Sequence, residues 1–242
     1  MKRVIAVALL FILSGCAYGT DYVHINTYTP KSSSNDGSGY VVYVAKAQDN
    51  RAEPQFVGQK PAGYVAMEKN LNLSKIITFS VLTTIESAGY DVKYSEKYSD
   101  TPPLGVNVLN ISIDELWSTF VGGFWTVDGN ARAKLTFELD DSNGRRLWKK
   151  VIGKGDVESN GAGIMPQLFE DSLNGALRKV MDGFSSDIKK SDFKKALLKG
   201  VVVSATPPAH RDFRKELGIT PNPSKVVVPA ANSMGWNTGN GF

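Results

Sequence analysis

The sequence predicts an α+β fold: a mostly antiparallel sheet of about four to five strands, two helices on one of its faces, and an extended C-terminal tail. Three observations predict it. Runs rich in β-branched and aromatic residues alternate with polar turns, two segments carry helical periodicity, and the last forty residues lose both patterns. In 242 residues, 42% hydrophobic and 21% charged, there is enough apolar material for one ordinary domain with extensions. One cysteine excludes an intrachain disulfide framework, and two histidines exclude most zinc sites. The formal charge of +4 includes Lys2 and Arg3, and falls to about +2 without them. That is too little for a dedicated nucleic-acid binder.

At the N-terminus, Lys2 and Arg3 precede an apolar run from Val4 to Leu13, which ends in Leu13-Ser14-Gly15-Cys16. Such a run is too short to span a bilayer, which takes about 20 residues, and it reads as a secretory signal over 1–15. Small residues before the single cysteine resemble the lipobox of bacterial lipoproteins, which implies cleavage before Cys16 and lipid on that residue. Ala17 in the next position implies the periplasmic face of the outer membrane. Residues 16–38, polar and turn-rich through Thr29–Gly39, read as a flexible tether.

The domain is expected over 39–199. Tyr40–Ala45 reads as its first strand, ended by Asp49-Asn50-Arg51, and Gly58–Gly63 as a loop. Leu73–Ala88 follows helical spacing, with Asn72 or Asn70 as its cap and Gly89 placed to stop it. Tyr90–Tyr94 is a short strand, and Val106–Asp114 is a strand with a phase slip at Leu109-Asn110 that suggests a bulge. Ala131–Leu139 alternates cleanly, and the turn Asp140–Gly144 returns it through Arg146–Gly153 as a hairpin. The second helix runs from about Pro166 to Lys190. Residues 200–242, with five of the eleven prolines, read as an extended, partly disordered tail. Within it, Val201–Val203 and Val226–Val228 each have the composition of an added edge strand.

The residues offer little chemistry. His24 lies in the tether and His210 in the tail, no phosphate-binding loop is present, and Asp114-Glu115 and Asp140-Asp141 suit a strand end and a turn. No catalytic residue, metal or cofactor is therefore expected. The candidate partner-binding residues are Asp49 and Arg51, an ion pair at a strand end, and Phe124 and Trp125, aromatics beside Gly122-Gly123. Trp117 and Trp148 read as packing residues within strands.

With the lipobox, Asp49-Asn50-Arg51, the helix end Ala88-Gly89-Tyr90, the hairpin and the final helix in place, residues 40–190 resemble YajG-type bacterial lipoproteins. That resemblance implies no enzymatic activity. The expected function is that of a lipid-anchored accessory or structural subunit of a cell-envelope complex, bound to a protein partner or to further copies of itself. The alternative is a carrier or binding module for a lipid or glycan.

Overall fold

The computed structural model describes residues 19–61, 63–98, 100, 104–122, 127–160, 165–199 and 213–219. Among them, nine strands form one mixed sheet accompanied by four helices. In chain order the strands are β1 (Asp21–Val23), β2 (Val41–Ala45), β3 (Gln48–Asp49), β4 (Phe56–Lys60), β5 (Gly63–Met67), β6 (Asp91–Ser95), β7 (Val108–Gly122), β8 (Val127–Asp140) and β9 (Arg146–Asn160). The helices are α1 (Leu73–Ser87), α2 (Met165–Ile188), α3 (Ser191–Leu198) and α4 (Phe213–Leu217). This corrects the expected sheet of four to five mostly antiparallel strands with two helices.

The correction has a specific origin. β7, β8 and β9 form the antiparallel half, paired along their length. The other edge of β7 is shared by three short strands in succession: β2 at Val108–Leu109, β3 at Ser112–Ile113 and β4 at Ser118–Thr119, all parallel. β2 then pairs β6 in parallel, while β4 pairs β5, and β5 pairs β1. The sheet therefore forks beside the middle of β7. The expected strands include β2 and β6, but β1, β3, β4 and β5, of two to five residues, carry too little alternation to be distinguished from loop by periodicity. β4 is further disguised by Gly58, which is required there: a Cβ would lie 2.5 Å from the Ser118 carbonyl oxygen of β7.

The helices share one core with the sheet. Leu73, Ile77, Val81 and Ile85 of α1 and Phe169, Leu173, Val180 and Phe184 of α2 are buried with Ile111, Ile113, Leu135 and Phe137 of the long strands. Phe137 and Phe184 stack at 4.1 Å between ring centroids, joining sheet to helix. Asn72 caps α1 by accepting from the Lys75 amide at 3.0 Å, and Gly89, at φ 87°, ends it. Trp148 packs edge-to-face on Phe193 of α3 at 4.9 Å, as its expected packing role requires.

Residues 21–38 differ from a tether. β1 joins the sheet, Val23 and Ile25 are buried, and the Asn26 amide donates to Asn174 Oδ1 at 2.8 Å. The polar stretch that follows serves the end of α1: the amides of Ser34 and Gly37 donate to the carbonyls of Ser87 and Ala88 at 2.7 and 2.8 Å. Polar, glycine-rich composition reads as linker, yet it also suits a segment whose backbone satisfies the last carbonyls of a helix. Part of the expected tail is likewise packed. Phe213 and Leu217 of α4 are buried, and the Arg214 guanidinium sits 4.9 Å from the Phe79 ring centroid. The rest of that tail, including Val201–Val203 and Val226–Val228, lies outside the described residues, as do the signal segment and Cys16.

Candidate functional site

At the fork, β2 and β3 end and the chain turns through Asn50–Glu53 before entering β4. Arg51 holds this turn. Its Nε and Nη2 donate to Asp49 Oδ1 and Oδ2, both at 2.8 Å, in a bidentate pair. Nη2 also donates to the Pro54 carbonyl at 2.7 Å, and Nη1 to those of Phe56 at 2.8 Å and Leu116 at 3.5 Å. The Arg51 side chain is 5% exposed and that of Asp49 18%. The sequence-predicted pair is thus real, and its polar atoms are engaged inside the protein, tying β3, β4 and β7 together.

The same fork opens a cleft on the outer face of the sheet, away from the helices. It has a volume of about 370 Å³, and Glu53, Gln59, Tyr64, Asp114, Glu115 and Trp117 line it beside Arg51. Two local features build the lining. First, the β7–β8 register shifts between Ile113 and Glu115, leaving Asp114 as an extra residue. Ile113 and Leu116 both stay buried, so two consecutive carboxylates, Asp114 and Glu115, reach the outer side together. Asp114 Oδ2 accepts from Thr136 Oγ1 at 2.6 Å, which fixes it. Second, Leu116 and Ser118 point into the core, which directs Trp117 outward. Its expected role as a packing residue is therefore corrected: it forms a wall of the cleft. Opposite, Tyr64 is 40% exposed and stacks on Phe56 at 4.4 Å.

With Arg51 neutralised by Asp49, the lining carries three further carboxylates and two aromatic rings. Such a surface attracts a cationic group, held by charge and by the ring faces. Lys134 stands across from Glu115 in the β7–β8 register, so the negative character is greatest on the Glu53 side. Sequence reasoning missed Tyr64 because it assigned no strand to 64–67, after the expected loop Gly58–Gly63, and misplaced Trp117 because the bulge shifts the alternation. The cue for the latter was the Asp114-Glu115 pair, which a regular strand would place on opposite faces.

Phe124 and Trp125 lie outside the described residues, in the segment joining β7 to β8. His24, expected in a tether, is fixed: its Nδ1 lies 3.0 Å from Glu68 Oε2. Among the described residues, no group of three His, Cys, Asp or Glu side chains could hold a metal ion, and no helix is long and apolar enough to cross a membrane.

No protein-family model matches the chain, and no curated protein matches it in sequence. Solved structures do resemble it in part. A homolog of a neuraminyllactose-binding hemagglutinin from Helicobacter pylori is 11% identical, with a TM-score of 0.48, over 71% of this chain and 97% of that one. Lipoprotein GNA1162 from Neisseria meningitidis is 13% identical, with a TM-score of 0.33, over 61% of this chain and 99% of that one. A minor lipoprotein from Acinetobacter baumannii is 12% identical, with a TM-score of 0.35, over 65% and 95%. The structural neighbours thus include bacterial lipoproteins. The finer likeness to YajG-type proteins rests on the sequence motifs alone.

Proposed function

We propose that this chain is a non-enzymatic lipoprotein of the bacterial envelope, anchored through lipid on Cys16 at the periplasmic face of the outer membrane. There it acts as an accessory or structural subunit, binding a protein partner. The observation that carries this reading is the cleft at the sheet fork, a pre-formed hollow of protein-recognition size with aromatic walls and excess negative charge. A lysine or arginine side chain on the partner matches it: the aliphatic stem packs on Trp117 and Tyr64, and the charged head meets Glu53, Asp114 and Glu115. Asp49 and Arg51 shape the contact by holding the fork, and Phe124 and Trp125 are further candidate partner-binding residues on their sequence alone. Lipid anchoring raises the local concentration, so that a modest affinity suffices. No cofactor or nucleic acid enters this account.

A glycan is the second reading, favoured by the same lining. Carboxylates and an amide beside exposed aromatic rings also suit sugar hydroxyls, whereas a lipid would want a deeper apolar hollow. Affinity capture with Trp117→Ala and Glu115→Gln, beside native mass spectrometry of the purified protein, separates the two. Loss of a captured protein in both variants supports the partner reading, and a bound saccharide mass supports the alternative. Unchanged capture in both variants overturns the cleft as the contact. Anchoring is tested independently by Cys16→Ser, which is expected to move the protein from the membrane fraction to the soluble fraction.

A further inference from the structure

The outer edge of β9 runs for fifteen residues, and among the described residues no strand pairs with it. A long open edge is a template for another strand. Its composition specifies which. Arg146, Lys149 and Lys150 lie in the first half, and Lys154, Asp156 and Glu158 in the second, with Gly153 at the midpoint, so the first half is positive and the second net negative. A strand charged in this way opposes itself favourably only when reversed.

We propose that the edge is occupied by β9 of a second copy of this chain, antiparallel about a two-fold axis through Gly153. This register uses the full strand. Lys150, 4.0 Å from Asp192 of its own chain, stands opposite Asp156 of the partner copy. That carboxylate also holds Lys179 of its own α2 at 2.6 Å, so the cross-strand pair adds a second cation to it. Val151, 50% exposed, faces the partner's Gly155, where no side chain competes for the space. Val157, 56% exposed, is covered by the stem of the partner's Lys149. On the helix side, a hollow of about 330 Å³ between Val151–Lys154, Gly183, Ser186 and Asp187 of α2, and Lys190, which pairs with Asp187, leaves room for the stem of the partner's Lys154. A two-fold contact of this kind closes at the dimer, giving a six-stranded antiparallel ribbon from the two β7–β8–β9 units.

The axis supplies the test. Residues paired across an antiparallel ladder have Cα atoms about 4.5–5.5 Å apart, within disulfide reach. A single Gly153→Cys therefore crosslinks to its own symmetry mate. The site tolerates it, since a Cβ at 153 meets only Lys134 Cγ at 3.9 Å. In the full chain, expressed in the envelope and oxidised, Gly153→Cys is expected to give a covalent dimer, and Asn143→Cys in the β8–β9 turn is not. Sedimentation of the wild-type protein is expected to give twice the chain mass, and Lys150→Glu to weaken dimerisation on the order of tenfold, because both copies carry the like-charge pair. A monomer at all concentrations, a dimer that position 153 does not crosslink, or an adduct at 153 to a different protein overturns the proposal. Thermal unfolding of Gly153→Cys, matched to wild type, keeps a misfolded variant from counting either way.

Discussion

Arg51 meets both carboxylate oxygens of Asp49 at 2.8 Å and reaches the carbonyls of Pro54, Phe56 and Leu116. Two residues on one turn thus join the strand that leaves the fork to the strand that enters it. The guanidinium suits this task because its donors are planar and spread, whereas a lysine ammonium would reach one acceptor direction at a time.

Removing Arg51 leaves Asp49 and several carbonyls without their donor. Arg51→Gln is expected to destabilise the domain by about 3–5 kcal/mol, the range for breaking one side of a buried pair. Arg51→Lys should recover only part of this. Urea unfolding of the three proteins measures both. A loss under about 1 kcal/mol for Arg51→Gln would show that the fork does not depend on the pair.

Gly37 lies against the face of Tyr90, where a Cβ would come within 2.3 Å of the ring. The ring cannot retreat easily, since its hydroxyl donates to the Ile188 carbonyl at 2.6 Å and its edge contacts Phe193. Gly37→Ala is therefore expected to cost about 1–3 kcal/mol, as overpacking does. An unchanged melting temperature would mean that residues 34–40 do not grip the domain.

Burial raises the phenol of Tyr94 to about 12, and raises those of Tyr28 and Tyr90 further, Asp182 adding to the effect at Tyr28 and Asp36 at Tyr90. In the unfolded chain a tyrosine ionises near 10. The folded state holds these protons more tightly, so its stabilising effect is complete below pH 10 and declines as pH rises toward and past 12. Ultraviolet titration is expected to show part of the nine tyrosines ionising late, together with unfolding. All nine titrating near pH 10 while the fold persists would contradict these burials.

The two long helices and the β7–β8–β9 core strands were legible in the sequence because each carries several turns or alternations of apolar residues. The fork was not. β3 has two residues, β4 owes its place to a glycine that shows no side-chain pattern, and β1 lies in a segment whose composition resembles a linker. Asp49 and Arg51 could be picked out as an acid and a base two residues apart at a strand end. That the cleft beside them is walled by Tyr64 and Trp117 depends on pairings between segments far apart in the chain, and on a bulge that redirects a strand.

The central claim is that the cleft at the fork receives a cationic group of an envelope protein. A photo-crosslinking residue in place of Trp117, in the lipid-anchored protein in living cells, tests it most directly. One dominant protein adduct, with the crosslinked peptide centred on a lysine or arginine, is the expected result. No protein adduct from 117, in a protein that folds and reaches the membrane, would contradict the account.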